Sequence, residues 1–273
     1  MDTGEFELIA ELRRRFPLVG DDAAVVDPPA GRLLLAADAI VGGIDFTDDE
    51  PLEQVGYRAV LVNASDIAAM GGQPLHVVVS IVAPPGADVL RIVEGIAEGV
   101  RVHGCEVAGG DLSSTAGPLV VSVAITGTID DGGAAVLRSG ARAGDGVFVT
   151  GPLGSAAAAG YRFGDRWSPR ARIAEGRAAR LAGATAMIDV SDGFAADLGH
   201  LLDASGVGVV LESVPVAEGA TDAQALGGGD DYELVFTLPA VATVPSGAIG
   251  VGQIVDDPSK RPPAVPGWQH RFS

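Results

Sequence analysis

Lysine occurs once in the 273 residues, at Lys260, and cysteine once, at Cys105. With no lysine elsewhere, the P-loop lysine, the protein-kinase strand lysine and Schiff-base catalysis are excluded. A single cysteine excludes an intrachain disulfide and a cysteine-clustered metal site, and suits a reducing compartment. Basic residues are scarce altogether: 18 against 36 acidic ones, giving a formal charge of −18 and a pI near 4.4. A surface of that sign repels nucleic acids and anionic membranes, so neither is expected as a partner. The chain also lacks a G-x-x-x-x-G-K-[ST] loop and a G-x-G-x-x-G following a strand. Its four histidines (His76, His103, His200, His270) share no metal-ligand spacing. Ser155 has no partnered histidine, which argues against nucleophilic catalysis. The opening Met1-Asp2-Thr3-Gly4-Glu5 lacks the basic-then-apolar order of a secretory signal. Glycine and proline at Gly71-Gly72-Gln73-Pro74 and Pro84-Pro85-Gly86 break the uncharged stretch 67–87, so no membrane helix is expected. The expected location is cytoplasmic.

What the chain has in excess is glycine, 39 residues in 273, about twice the average share of roughly 7%. With no collagen-like repeat, that density points to tight turns and close backbone approaches to a ligand. Apolar periodicity predicts helices over residues 5–15, 51–70, 87–102 and 169–181, a short alanine-rich helix after Ser155, and another after Gly193 through Leu202. Strands are predicted at residues 33–37 (ending at Asp38), 76–82, 119–125, 147–149, 187–188, 207–211, 232–237 and 249–255. Gly20-Asp21-Asp22 reads as a turn into a strand, and Gly109-Gly110-Asp111 as the end of one. The pattern restarts near Ala141-Arg142-Ala143-Gly144-Asp145. This places a boundary near residue 140 between two halves of mixed α and β content.

The chemistry-bearing feature is a set of aspartates flanked by small residues at expected strand ends or helix starts. They are Asp21 and Asp22, Asp38, Asp66, Asp111, Asp189 and Asp192, and Asp230 and Asp231. Each alone reads as a turn or cap residue, since Asp-Gly and Ser-Asp-Gly are ordinary turn chemistry. Converging carboxylates would repel one another unless hard cations lay between them, and Mg²⁺ takes oxygen ligands of this kind. An acidic protein binds a nucleoside triphosphate through such bridging ions. The pattern therefore suggests a Mg²⁺–phosphate site. Asn63 and Asp66 fall on one face of the long helix, where a buried Asp66 would need a partner. The Thr150-Gly151-Pro152-Leu153-Gly154-Ser155 loop could hold an anion at a helix N-terminus.

Several segments occur in a telling order. They are Gly4-Glu5-Phe6-Glu7-Leu8-Ile9, Gly20-Asp21-Asp22-Ala23, Asn63-Ala64-Ser65-Asp66-Ile67-Ala68-Ala69-Met70-Gly71, Gly109-Gly110-Asp111, Leu137-Arg138-Ser139-Gly140-Ala141, Ile188-Asp189-Val190-Ser191-Asp192-Gly193 and Gly229-Asp230-Asp231-Tyr232-Glu233-Leu234. With Gly267-Trp268-Gln269-His270 near the end, this series resembles the thiamine-monophosphate kinase family, within the aminoimidazole ribonucleotide synthase-related superfamily. The resemblance implies an α+β, two-domain aminoimidazole ribonucleotide synthase-like fold. An N-terminal α/β domain (1–140) would bind ATP and Mg²⁺ and dimerise through its sheet. A C-terminal α+β domain (141–273) would complete the active site. It implies Mg²⁺ ligands at Asp22, Asp38, Asp66, Asp111 and Asp189, with Asp192 near a further ion. ATP would be bound at Gly110, Asp111, Arg138 and Ser191, and the substrate at Asp45, Asp230 and Trp268. Arg138 and Asp192 are the implied catalytic groups.

The implied reaction is ATP- and Mg²⁺-dependent phosphorylation of thiamine phosphate by a homodimer. A phosphate monoester, with a second pKa of about 6, needs no general base as acceptor. The family's Ser or Thr pair before Asp38 is here Ala36-Ala37. Its Gly-Val-His-Phe run is Gly43-Ile44-Asp45-Phe46, and the first acid of its Gly-Gly-Glu-Asp-Tyr-Glu is shortened to Asp230. Two other readings stand beside the kinase: a superfamily member activating an amide oxygen with ATP, and a non-catalytic nucleotide-binding homologue.

Overall fold

The computed structural model describes residues 11–17, 31–129, 131–164, 167–265 and 267–268. The expected turn and strand at Gly20-Asp21-Asp22, with the metal ligand Asp22, lie outside these residues. So does the start of the helix expected over 5–15, of which residues 11–15 are described as helical. The chain divides into two compact units, Met1–Ile67 with Gln73–Gly133, and Ala68–Gly72 with Ala134–Ser273. The boundary expected near residue 140 falls between the last strand of the first unit and the first strand of the second. No helix among the described residues is long and apolar enough to cross a membrane.

The first unit is built on a four-stranded sheet of β1 (Arg32–Val41), β2 (Gln73–Ala83), β3 (Glu106–Ser114) and β4 (Val120–Ile129) in the order β1-β4-β2-β3. Only β2 and β3 run parallel; the other pairings are antiparallel. Along β4, Val121, Val123 and Ile125 are buried while Ala124 between them is exposed. That period of two marks one covered face and one open face. Leu33, Leu35 and Val78 stand 53%, 72% and 48% exposed on the open face, in line with Ala37 and Ala124. In the single chain the sheet is thus covered on one face.

Helices α1 (Leu52–Ala69) and α2 (Val89–His103) belong to this unit, apart from the last turn of α1. Ile92, Val93, Ile96 and Val100 give α2 an apolar stripe at helical spacing, and Gly104, at φ 71°, closes it by donating to the Val100 carbonyl. The two helices meet backbone to backbone. A Cβ at Gly56 would lie 2.0 Å from the Ile92 carbonyl oxygen, and one at Gly95 would lie 1.9 Å from that of Glu53. No rotamer change relieves a clash with backbone.

In the second unit, β5 (Gly146–Val149), β6 (Ala186–Asp189), β7 (Gly208–Leu211), β8 (Leu234–Leu238) and β9 (Ile249–Val255) form an antiparallel sheet ordered β6-β8-β5-β9-β7. Helices α3 (Ser155–Ala158), α4 (Ile173–Leu181), α5 (Phe194–Ser205) and α6 (Asp222–Gly227) complete its described elements. All five residues of β8 are buried. Phe194, Leu198, Leu201 and Leu202 of α5 pack into a core with Val147, Val149, Val235, Val251 and Ile254.

Several expectations need correction. β1 runs on past Asp38 to Val41, so Asp38 lies within a strand. Gly109-Gly110-Asp111 also lies within a strand, because a register shift of β3 against β2 absorbs Ala108 and pairing resumes at Gly109. The helix expected from Pro169 begins at Ile173, the helix after Ser155 is a single turn, and α6 was not expected at all. Substituting Gly95 with alanine must push α1 and α2 apart. Gly95→Ala is expected to cost roughly 3 kcal/mol, read as a lower midpoint in urea unfolding followed by circular dichroism.

Candidate functional site

In the first unit, a buried asparagine ties Asp38 to the helix that carries Asp66. The Asn63 Oδ1 accepts from the Asp38 N–H at 3.0 Å, and its Nδ2 donates to the Ala59 carbonyl at 2.9 Å. Asn63 is fully buried, whereas Asp66, one turn on, is half-buried and Asp38 is exposed. β1 is an edge strand, so an N–H directed away from β4 needs such an outside acceptor. Asp111 stands exposed on β3 with its Oδ2 accepting from the Ser113 hydroxyl at 2.8 Å. Beside it, Gly110 has to be glycine: a Cβ there would lie 2.1 Å from the Val79 carbonyl oxygen.

Asp45 closes its own turn. Its Oδ2 accepts from the Val41 N–H at 2.8 Å, and its carbonyl accepts from Arg58 Nη1 at 2.8 Å. Arg58 in turn pairs with Glu50 at 3.2 Å, both buried.

The second unit brings Ser191, Asp192, Asp230 and Trp268 together. β6 and β8 pair Asp189 with Leu234, and the pairing continues beyond the strands. Val190 N–H donates to the Glu233 carbonyl at 2.8 Å, Tyr232 N–H to that of Val190 at 2.9 Å, and Asp230 N–H to that of Ser191 at 2.8 Å. The Trp268 N–H reaches the Asp192 carbonyl at 3.0 Å, and the indole is half exposed. Asp230 (φ 55°) and Tyr232 (φ 53°) both adopt the left-handed conformation that side chains disfavour, and the Tyr232 hydroxyl donates to Asp230 Oδ1 at 2.8 Å. Backbone strain of this kind, held in place by its surroundings, gathers at functional sites. Arg138 is exposed on the same unit, its carbonyl accepting from the Ser205 hydroxyl at 3.3 Å.

Asp189 is buried at the end of β6, and Asp197, on α5, is 3% exposed. Burial, with the charges of Asp189 and Asp192 added, pushes the Asp197 carboxyl up to about 8. Three backbone N–H groups donate to its Oδ2 and pull the other way. A hard cation beside Asp189 and Asp192 would offset that repulsion and favour the ionised carboxylate, the form that three N–H donors select. Neither Asp197 nor Glu233 stood among the sequence-derived candidates, and Asp231 stood in the aspartate set without an assigned role.

Asp231 and Glu233 hold the Asp230 loop from the inside. Asp231 Oδ2 accepts from the Gly154 N–H at 2.6 Å, and Oδ1 from the Ser155 hydroxyl at 2.9 Å and the Ala156 N–H at 3.3 Å. The loop that could have held an anion at a helix start therefore receives the chain's own aspartate. Glu233 accepts from the Thr150 hydroxyl at 2.6 Å and pairs with Arg172. Burial pushes both acids upward in pKa, against those hydrogen bonds.

Among the described residues no three His, Cys, Asp or Glu side chains converge tightly enough to hold a metal ion by themselves. The donors nevertheless suit a hard cation. They are all carboxylate oxygens, and the crowding of Asp189, Asp192 and Asp197 is of the kind that a divalent cation relieves.

The chain is similar to known proteins over most of its length. A family model described as AIR synthase related protein, N-terminal domain, matches residues 20–129. The thiamine-monophosphate kinase of Mycobacterium tuberculosis is 38% identical over 296 residues, covering 94% of this chain and 86% of its own. The crystal structure of thiamine-monophosphate kinase from Stenotrophomonas maltophilia superposes with a TM-score of 0.78 at 30% identity, covering 94% of this chain and 96% of that one. The structure of AaThiL complexed with AMPPCP and TMP gives the same TM-score and identity over 98% of this chain and 97% of its own.

Breaking the Arg172–Glu233 pair from one side leaves a buried carboxylate with Thr150 alone. Arg172→Met is expected to cost roughly 2–3 kcal/mol in urea unfolding, and adding Glu233→Gln should recover part of that loss.

Proposed function

Because the chain belongs to the thiamine-monophosphate kinase family, we propose that it transfers the terminal phosphoryl group of ATP to thiamine phosphate, giving thiamine diphosphate and ADP. The observation that carries this reading is the near full-length likeness to a protein complexed with AMPPCP and TMP. The chemistry of the residues supports it. No side chain has to act as general base, since the acceptor phosphate is already mostly dianionic near neutral pH. Positioning and charge neutralisation then supply the catalysis.

In this reading Mg²⁺ would be held in the first unit by Asp38, Asp66 and Asp111 and in the second by Asp189 and Asp192, with Asp22 as a further ligand. Bound Mg²⁺ would offset the charge of the nucleotide's phosphates. Gly110 leaves bare backbone beside Asp111 for the nucleotide to approach, and Ser191 offers a hydroxyl. The Arg138 guanidinium pairs two phosphate oxygens with its planar fork. Asp230, Trp268 and Asp45 are assigned to the acceptor. A cytoplasmic setting belongs to the same proposal, supported by the single buried free thiol of Cys105.

We also assign the open face of the first sheet to a homodimer interface. Leu33, Leu35 and Val78 form an apolar patch of the sort that monomers seldom leave in water. Light scattering at micromolar concentration should give twice the chain mass, and Leu35→Glu, placing a charge in that patch, should give the single-chain mass.

The activity is tested by ADP release. Thiamine phosphate added to the protein with ATP should release ADP only when Mg²⁺ is present, and chelation should stop it. Asp66→Asn and Asp111→Asn, each losing a charged oxygen ligand, should reduce turnover by 100-fold or more, on the order of the loss of one charged transition-state contact. Their melting temperatures should stay close to that of the parent. Wild-type turnover in both variants would remove these residues from the metal site, and no ADP release from the parent would refute the kinase reading.

A further inference from the structure

We propose that Asp197 is a positioning residue for phosphoryl transfer, its carboxylate filling a backbone anion nest and so fixing the Ser191-Asp192-Gly193 loop. The inference rests on the reading of Ser191 and Asp192 as nucleotide and Mg²⁺ groups. Its geometry stands apart from that reading.

The N–H groups of Ser191, Asp192 and Gly193 all donate to one oxygen, Asp197 Oδ2, at 3.1, 3.0 and 3.1 Å. Three consecutive peptides converge on one point only when the backbone curls into a concavity, and such a nest favours an anion. Here the chain supplies the anion itself. Asp197 is the fourth residue of α5, and its own N–H bonds the Gly193 carbonyl at 3.0 Å, the first helical bond of α5. The carboxylate thus folds back over the start of its own helix, where amides have no intrahelical acceptor. At 3% exposure it leaves no room for solvent to take its place.

The loop's carbonyls are fixed by other partners. The Ser191 carbonyl accepts from the Asp230 N–H at 2.8 Å and the Asp192 carbonyl from the Trp268 N–H at 3.0 Å. Asp197 therefore secures the amide side of a loop whose carbonyl side is tied to the residues assigned to the acceptor. Without it, three amides of the loop would lose their acceptor.

The test uses Asp197→Ala in the full-length protein, with formate as the probe that returns a carboxylate to the emptied nest. The variant should lose roughly 10- to 100-fold in kcat/KM for ATP, the range for groups that orient a functional ligand. Amide hydrogen exchange at residues 191–193 should accelerate. Formate should slow that exchange and restore part of the activity saturably, whereas chloride at equal ionic strength should do neither. A purely structural cap would lower the melting temperature and leave kcat/KM at the parent value well below it; that result overturns the proposal. So does formate that changes neither exchange nor activity. If Asp197→Ala does not fold, Asp197→Asn decides: faster exchange with lower kcat/KM supports the proposal, and parent values for both refute it. Should the parent release no ADP, the kinase reading fails, while the exchange and formate measurements still decide the nest.

Discussion

The register of β6 against β8 is the constraint on which the second unit depends. Asp189 lies opposite Leu234, and the pairing continues through Val190 with Glu233 and Tyr232 and through Ser191 with Asp230. Two loops that leave the same end of the sheet are joined by backbone bonds. A slip of one residue would exchange the faces of every side chain in both segments. Asp231 and Glu233 would then leave the Gly154–Ser155 turn and Arg172. The left-handed backbone of Asp230 and Tyr232 belongs to the same constraint, since the bonds on either side leave the chain no relaxed path between them.

A second theme is that several of the acids are used internally. Asp231 occupies the start of α3, Asp197 the nest before α5, and Asp45 the Val41 amide. Asp145 likewise accepts from the Arg142 N–H at 3.0 Å. Each is a carboxylate serving as the anion that a turn or helix start attracts. The carboxylates available to cations are a subset of those in the sequence, and the motifs alone do not separate the two groups. In Asp230-Asp231, adjacent residues of identical type divide the roles between them.

How far the sequence was legible follows from how local each signal is. The long helix, α2 and the apolar strands announce themselves through periods of 3.6 and 2 that neighbouring residues carry. Asp38 and Asp111 were placed at strand ends because glycine and aspartate punctuate chains; here an edge strand and a bulge accommodate them instead. α6 has a readable start, a reciprocal cap between Thr221 and Gln224, but follows it with only six helical residues. The partners of Asp231 and Glu233 were not legible, lying 77 and 83 residues away at Gly154 and Thr150. Asp197 was the exception: an acid four residues after a Ser-Asp-Gly turn has its partner close by, and the signal was there to find.

The contact between α1 and α2 limits how this chain can drift. At most tight crossings a larger residue on one side can be offset by a smaller one opposite. Gly56 and Gly95 face carbonyl oxygens of the other helix, at Ile92 and Glu53, and no substitution shortens a backbone. Neither position can therefore be rescued by changing its neighbour. A sequence lineage that loses either glycine has no single compensating step available and must rebuild the spacing of both helices over the sheet.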